Sequence, residues 1–121
     1  MKILVVDDEK IISSSLERVL KRKGHLVHVA NSGVEALIQL NENGPFDVLI
    51  MDYLMPELSG ADVLSQCKIK YPKLKVVMMT AYGDQQVREE LLSRGACQVI
   101  HKPFEDILKI PELVEKVAAL A

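Results

Sequence analysis

Five short apolar runs recur along this chain, and a segment of helical period separates each from the next. The runs are rich in Val, Ile, Leu and Met and cover residues 3–6, 26–30, 48–51, 76–79 and 97–100. Most are continuous rather than alternating, which is typical of strands that are covered on both faces. Only Leu26-Val27-His28-Val29 alternates, which indicates an edge strand. Strand and helix alternate five times, and this pattern predicts a parallel five-stranded α/β sheet with helices on both faces and right-handed crossovers.

The segments between the apolar runs carry helix start and stop signals. Ser32, with Glu35 three residues later, forms a capping box, and Val34, Leu37 and Ile38 then lie on one stripe of the second helix. Four further signals are N-caps at Ser59 and Asp84 and C-terminal stops at Gly24 and Gly95.

Length and composition exclude several classes of protein. The 121 residues fit one domain over 1–121, and 49% hydrophobic with 26% charged residues is an ordinary globular mixture. A net charge of −2 gives no electrostatic reason to bind nucleic acid or a membrane surface. No apolar run approaches the roughly 20 residues that span a bilayer. Cys67 and Cys97 show no metal-binding or redox spacing, so we expect a cytoplasmic protein.

Polar side chains follow four of the five apolar runs. Asp7 and Asp8 come after the first run, Asp52 after the third, Thr80 after the fourth, and Lys102 just after the fifth. Ligands of open α/β sheets bind beyond the carboxyl ends of the strands, near the point where strand order reverses. In the strand order 2-1-3-4-5 the first and third strands are neighbours, so we expect the three aspartates to converge there.

Converging carboxylates require a counter-charge. At about 4 Å and an effective dielectric near 20, each like-charge pair repels by roughly 4 kcal/mol. Mg²⁺ fits best, because it takes oxygen ligands and keeps several waters beside one or two carboxylates. The alternative is that Asp7 or Asp8 caps the first helix, but this does not explain why Asp52 ends a buried strand elsewhere.

A carboxylate beside Mg²⁺ can attack a phosphoryl group and carry it as an acyl phosphate. Asp52 is the candidate for this role. Lys102 would supply a positive point charge and Thr80 a hydroxyl donor to the phosphoryl oxygens. A cis peptide before Pro103 would aim Lys102 into the site.

Four short motifs together resemble the receiver domain of two-component response regulators, the phosphorylation switch of bacterial signalling. The resemblance covers essentially the whole chain and implies a single (βα)5 flavodoxin-like domain. The motifs are Val5-Val6-Asp7-Asp8-Glu9, Asp52-Tyr53-Leu54-Met55-Pro56 with Ser59-Gly60, Thr80-Ala81, and Lys102-Pro103-Phe104.

The resemblance implies a role for each site residue. Asp52 is the implied phospho-acceptor. Asp8 and Asp52 would bind Mg²⁺ directly, Asp7 through water, and the backbone carbonyl of Leu54 would add a ligand. Thr80 and Lys102 would hold the phosphoryl oxygens.

Partners follow from the same resemblance. The phosphoryl donor would be a sensor histidine kinase or a histidine phosphotransfer protein, and the domain would catalyse only its own phosphorylation and slow dephosphorylation. Phosphorylation would change the surface formed by Thr80, the last two strands and the last two helices, to control an output domain or a partner. An output domain in a longer chain and a phosphorylation-dependent homodimer are both left open, and no direct contact with nucleic acid or membrane is expected.

Two departures from the family pattern stand out. Val99 occupies the position, three residues before the lysine, where many members carry an aromatic ring or His that couples lysine and threonine movements. The segment 105–110 precedes Pro111, which suits the first turn of a helix, so we expect a longer connection and a last helix that starts near Pro111.

Leu54 and Tyr82, each two residues beyond a site residue, should flank the path of an attacking water. Both are bulky, and Leu54 cannot orient water by hydrogen bonding. We therefore expect slow loss of the phosphoryl group.

Three other classes share part of the pattern. A phosphatase of the dehalogenase type needs a second Asp two residues after the nucleophile, and Leu54 stands there. A flavodoxin-like nucleotide or flavin binder needs a Gly-rich phosphate loop after Val6, where this chain has acids. A non-phosphorylated pseudo-receiver, acting only as a protein interaction module, typically loses acids or the lysine, and this chain retains them.

Overall fold

The computed structural model describes residues 1–81 and 85–120. Strands and helices alternate along the chain as the periodicity predicts. The strands are β1 (Lys2–Val6), β2 (Leu26–Ala30), β3 (Val48–Asp52), β4 (Lys75–Thr80) and β5 (Gln98–His101). The helices are α1 (Lys10–Arg22), α2 (Gly33–Asn43), α3 (Gly60–Lys70), α4 (Gln85–Ser93) and α5 (Ile110–Ala118).

The five strands form one parallel sheet in the order β2-β1-β3-β4-β5. This order confirms the predicted α/β fold with β2 at one edge, and β5 forms the other edge. The register pairs Val6 of β1 with Met51 of β3, and Thr80 of β4 with His101 of β5. Because all strands run in the same direction, their carboxyl ends meet along one rim of the sheet.

Successive residues of the central strands enter two separate cores, one on each face of the sheet. Leu4 and Val6 pack on the face covered by α2, α3 and α4. Ile3 and Val5 pack on the opposite face, covered by α1 and α5. The continuous apolar runs therefore reflect burial on both faces, as predicted, and the rigid sheet between the two cores fixes the position of its rim.

Most predicted helix ends are confirmed. Ser32 Oγ accepts the backbone N–H of Glu35 at 3.1 Å, and Ser59 Oγ accepts that of Asp62 at 3.3 Å. Gly24 (φ +88°) and Gly95 (φ +114°) follow α1 and α4 in the left-handed conformation that favours glycine. The predicted N-cap at Asp84 lies outside the described residues.

Helix α2 buries only part of the predicted stripe, because Leu37 is half-buried against the core but its two neighbours on the stripe are not. Val34 and Ile38 are 48% and 50% exposed, while Gly33 and Ala36 face the core with Leu40. A Cβ on Gly33 would lie 2.8 Å from the carbonyl oxygen of Leu58, so small residues are what allow the helix to approach. Periodicity identified the helix, but residue size selected its buried face.

The connection before the last helix is as predicted. Residues Ile107–Lys109 form a short 3₁₀ helix, and the Asp106 carboxylate accepts the N–H of Leu108 at 3.0 Å. Helix α5 then begins at Ile110 with Pro111 in its first turn. Pro111 and Val114 are buried, so the late start still anchors α5 on the sheet.

Two observations bear on the classes that the composition excluded. Within residues 1–81 and 85–120, no helix has the length and apolar character needed to cross a bilayer. Cys67 and Cys97 are free thiols, the first buried and the second half-buried.

Candidate functional site

The polar residues that follow the strands meet at the carboxyl rim of the sheet. Asp52 and Thr80 are the last residues of β3 and β4, and Lys102 directly follows β5. These side chains border one open cleft of about 310 Å³, between the ends of β1, β3 and β4. The cleft is lined by Asp8, Glu9, Asp52, Leu54, Thr80, Ala81 and Lys102.

Four carboxyl groups cluster at this end of the sheet, and three of them, those of Asp8, Glu9 and Asp52, line the cleft. One oxygen from each of Asp7, Asp8, Glu9 and Asp52 lies within 4.8 Å of the others. Asp7 and Asp52 are buried, whereas Asp8 and Glu9 are exposed. An all-oxygen donor set that is open on one side suits a hard divalent cation that keeps part of its water shell, so these residues fit the predicted magnesium site.

Helix capping accounts for only part of the acidic cluster. Asp7 Oδ1 accepts the backbone N–H of Glu9 at 2.9 Å, which shapes the turn from β1 into α1. The N-cap of α1 is Glu9 itself, whose side chain makes no capping hydrogen bond with the described residues. This leaves the positions of Asp8 and Asp52 unexplained by capping.

Lys102 reaches into the acidic cluster. Its Nζ lies 3.0 Å from Asp7 Oδ2, 3.1 Å from Glu9 Oε1 and 3.4 Å from Asp52 Oδ2. The Lys102–Pro103 peptide is cis, as predicted. The backbone N–H of Lys102 donates to the carbonyl of Thr80 at 2.8 Å, which holds the lysine beside the end of β4.

The electrostatics of the site follow from burial among like charges. Burial, with the neighbouring Asp7 carboxylate, raises the pKa of Asp52 to about 6. Burial also raises the pKa of Asp7. Burial alone would lower the pKa of Lys102, but its hydrogen bonds to Asp7 and Glu9 outweigh that effect and raise it. Lys102 is therefore fully charged. Burial disfavours the ionised forms of Asp7 and Asp52, and a bound cation would stabilise them.

The loop after β3 holds Asp52 in place. The N–H of Tyr53 donates to the carbonyl of Met79 at 2.8 Å, and the N–H of Gly60 donates to the carbonyl of Tyr53 at 2.9 Å. A Cβ on Gly60 would lie only 2.2 Å from the backbone oxygen of Asp52. The start of α3 therefore packs directly against the backbone of Asp52. Leu54, 49% exposed, lines the cleft beside it.

Glu9 is the site residue whose contact the sequence did not reveal. The Val5-Val6-Asp7-Asp8-Glu9 motif contains this residue, but the pattern assigns it no role. Its carboxylate nevertheless contacts Lys102 and belongs to the acidic cluster. The available signal was a third consecutive acid at the same strand end, although adjacency alone does not say which way a long side chain turns.

Val99, which occupies the position of an aromatic ring or His in many receiver domains, lies between helix α4 and the strand that ends in Thr80. Val99 is buried in β5, and its carbonyl accepts a hydrogen bond of 3.0 Å from Arg88 Nη1 of α4. Thr80, at the end of the neighbouring strand, is also buried. Tyr82, expected beside the cleft, lies outside the described residues.

Comparison with known proteins agrees with this geometry. The sequence model of the response regulator receiver domain matches residues 3–117. Response regulator MprA of Mycobacterium leprae is 36% identical over 120 residues, which cover 99% of this chain and 50% of that protein. MprA of Mycobacterium ulcerans is 35% identical over the same length. The chain thus spans about half the length of these curated relatives.

Solved structures show the same fold. The receiver domain of the Francisella response regulator 1452 superposes with a TM-score of 0.89 at 28% identity, over 97% of this chain and 95% of that chain. Response regulator TrrA of Thermotoga maritima, solved in complex with Mg²⁺-BeF, gives 0.83 at 34% identity, over 96% and 97%. With the matching strand order and the acids and lysine gathered at one rim, the chain belongs to the response-regulator receiver domain family of two-component signalling.

Proposed function

We propose that this receiver domain is a phosphorylation-activated switch in which Asp52 accepts a phosphoryl group in the presence of Mg²⁺. The donor is a phosphohistidine on a sensor histidine kinase or a histidine phosphotransfer protein. One observation carries the proposal: the Asp52 carboxylate lines a cleft, clusters with three further carboxyl groups, and lies 3.4 Å from the ammonium of Lys102. Such a site provides a nucleophile, a cation site and a positive partner for phosphoryl oxygens.

The resemblance to receiver domains implies how the metal-binding roles are divided. Asp8 and Asp52 would hold Mg²⁺ directly, Asp7 would act through water, and the Leu54 carbonyl would complete the protein ligands. When bound, the ion supplies positive charge that offsets the acids and the phosphoryl oxygens. The buried Asp7 also organises the turn that presents its neighbours, through its bond to the N–H of Glu9.

The transfer step requires an ionised Asp52. One of its carboxylate oxygens forms a bond to phosphorus while the phosphorus–nitrogen bond to the donor histidine breaks, and the imidazole leaves with that electron pair. Lys102 Nζ would hold one phosphoryl oxygen and the Thr80 hydroxyl another. Water later attacks the phosphorus, the phosphorus–oxygen bond to Asp52 breaks, and inorganic phosphate leaves as the free carboxylate is restored. The domain thus catalyses only its own phosphorylation and slow dephosphorylation.

Output would proceed through the surface formed by β4, α4, β5 and α5. Thr80 ends β4, and Lys102 follows β5, so both phosphoryl contacts lie at the rim of this surface. A cavity of about 660 Å³ lies between β5, the loop after it and the start of α5. Movement of the two strand ends would reshape this cavity and so control an output domain or a partner protein.

Several features of the whole protein belong to the same proposal. Residues 1–121 form a single receiver domain, and the cell compartment is the cytoplasm. The curated relatives are about twice as long as this chain, which supports an output domain as the controlled element. A phosphorylation-dependent homodimer would be detected by light scattering, as a rise in mass on addition of Mg²⁺ and beryllium fluoride.

Intact-mass spectrometry tests the proposal. Wild-type protein incubated with acetyl phosphate and Mg²⁺ should gain the mass of one phosphoryl group, and Asp52→Asn should gain none. Chelation of Mg²⁺ should abolish the gain in the wild type. A wild-type protein that gains no phosphoryl group from acetyl phosphate or from a phosphorylated histidine kinase would instead be a pseudo-receiver that acts only as an interaction module.

A further inference from the structure

Three carboxylates contact the ammonium group of Lys102. Asp7, Glu9 and Asp52 each place an oxygen within 3.4 Å of Nζ. A lysine ammonium has three N–H donors. Asp7 and Glu9 accept hydrogen bonds from Nζ, and Asp52 forms an ion pair with it at 3.4 Å. A phosphoryl oxygen that is to bind Lys102 must therefore compete with these carboxylates for the ammonium group.

The three carboxylates differ in how readily they can leave. The side chains of Asp7 and Asp52 are 0% and 9% exposed, whereas that of Glu9 is 62% exposed. A buried carboxylate that loses its partner keeps the cost of burial without compensation. An exposed carboxylate is resolvated by water, so its ion pair is weak and exchangeable.

Glu9 is held in place by its backbone rather than by its side chain. Its N–H donates to Asp7 Oδ1, and its carbonyl accepts from the N–H groups of Ile12 and Ser13, both at 3.1 Å. At the N-cap of α1 its side chain makes no capping bond with the described residues and instead extends across the cleft to Lys102. The carboxylate can leave without disturbing the start of the helix.

We propose that Glu9 is a positioning residue. In the unphosphorylated protein its carboxylate binds Lys102 Nζ where a phosphoryl oxygen binds after phosphorylation. This inference rests on the proposed function. Glu9 directs Nζ towards the mouth of the cleft and gives way when a phosphoryl oxygen arrives. Its negative charge also opposes the approach of the anionic donor and favours a cation in the acidic cluster.

Two effects of opposite sign follow for Glu9→Gln. With Mg²⁺ saturating, the apparent KM for acetyl phosphate should fall about two- to fivefold, the range expected for one exposed ion pair, at an unchanged maximal rate. The Kd of the unphosphorylated protein for Mg²⁺, measured by isothermal titration calorimetry, should rise by a similar factor. Both differences should shrink as ionic strength increases, because the pair is exposed to solvent.

Two further variants separate contact from charge. Glu42→Gln removes one exposed acidic charge from α2 and should leave the apparent KM and the Kd for Mg²⁺ at wild-type values. Glu9→Asp keeps the charge but is one methylene short of Lys102, so its apparent KM should fall as that of Glu9→Gln does. Thermal midpoints of all variants establish that they are folded under assay conditions.

The outcomes are distinct. An apparent KM of Glu9→Gln equal to that of the wild type would overturn the inference while leaving phosphorylation of Asp52 intact. A fall in Glu9→Gln with none in Glu9→Asp would assign the effect to charge alone and would also overturn it. If wild type takes up no phosphoryl group, the proposed function itself fails, and the calorimetric comparison with Mg²⁺ remains as the separate test of whether Glu9 contributes to the acidic cluster.

Discussion

Asp52 lies where ionisation of its carboxyl group is unfavourable. It is buried at the end of β3, near Asp7, and its pKa rises to about 6 because of burial and the Asp7 charge. Lys102 offsets this only in part, since it is shared with two other carboxylates. The arrangement that makes ionisation of Asp52 unfavourable also favours a bound cation, as the proposed function requires.

The charge of Asp52 should make the metal-free protein less stable at neutral pH. Because its pKa is higher in the folded state than the ordinary 3.8, the folded state binds a proton that the unfolded state releases between about pH 4 and pH 6. Asp52→Asn should therefore raise the free energy of unfolding by about 2–3 kcal/mol at pH 7.5. The difference should shrink as pH falls through 6 and vanish near pH 4, as measured by urea unfolding in a chelator.

A matched control is the exposed Asp47, which accepts the backbone N–H of Lys2 at 2.8 Å. Asp47→Asn retains an acceptor oxygen and should change the free energy of unfolding by less than about 0.5 kcal/mol at either pH. An Asp52→Asn variant no more stable than the wild type at pH 7.5 would show that the acids are not mutually repelling.

Leu54 should influence the lifetime of the phosphorylated state. It is 49% exposed at the cleft and offers no side-chain hydrogen bond to water. Leu54→Asn should speed loss of the phosphoryl group about two- to tenfold, the equivalent of one hydrogen bond to the attacking water. Decay of the phosphorylated mass after removal of acetyl phosphate measures this rate. Leu108→Asn, an exposed change on the 3₁₀ helix, should decay as the wild type does; equal decay in all three proteins would contradict the expectation.

At the scale of elements, the turn from β3 into α3 connects the core to the site. Gly60 begins α3 within van der Waals contact of the Asp52 backbone, and it also faces Met78 of β4. Helix α3 can therefore approach the sheet only if this residue lacks a side chain. The position of Asp52, the proposed phospho-acceptor, thus depends on the packing of a helix as well as on the strand that carries it.

Gly60→Ala should disturb both stability and the site. A Cβ 2.2 Å from the oxygen of Asp52 must displace α3 or β3, and overpacking of this kind costs about 1–3 kcal/mol. We expect a lower urea midpoint and slower phosphorylation by acetyl phosphate.

Gly24→Ala provides the contrast for Gly60→Ala. No described atom lies within 4 Å of a Cβ there, and the cost comes from φ +88° alone, at about 1 kcal/mol. This variant should lose stability but be phosphorylated at the wild-type rate. If Gly60→Ala were phosphorylated at the wild-type rate, the packing of α3 would not set the position of Asp52.

A long side chain of helix α4 hydrogen-bonds to the backbone of β5. Arg88 Nη1 donates to the carbonyl of Val99 at 3.0 Å, at the position where an aromatic ring is absent. Arg88→Ala should weaken this tether by about 0.5–1.5 kcal/mol and speed amide hydrogen exchange of residues 85–93 about two- to tenfold. Exchange of α2 provides the internal reference, and unchanged exchange of α4 would show that other contacts hold the helix.

For the molecule as a whole, the sequence was informative wherever burial on both faces imposed a pattern. Continuous apolar runs predicted the five strands, and the polar residues after them predicted a rim that holds Asp7, Asp52 and Lys102. These features follow from chain direction and burial, which a sequence records directly. The start of α5 near Pro111 was predictable for the same reason, because proline restricts the backbone locally.

Features that depend on side chains meeting across the fold were not predictable from sequence. The buried side of α2 was chosen by the close approach of Leu58 to Gly33, so Val34 and Ile38 remain exposed. The contact of Glu9 with Lys102 joins residues 93 positions apart and depends on a rotamer at an exposed position. Periodicity carries no information about either contact, since both depend on the tertiary arrangement.

The most direct measurement is a crystal structure of the protein with Mg²⁺ and beryllium fluoride, a mimic of the phosphoryl group. We expect beryllium bound to a carboxylate oxygen of Asp52 and Mg²⁺ held by Asp8, Asp52 and the Leu54 carbonyl. Lys102 Nζ and the Thr80 hydroxyl should contact fluorines. A cleft that stays free of both, with these side chains pointing apart at saturating concentrations, would contradict the account.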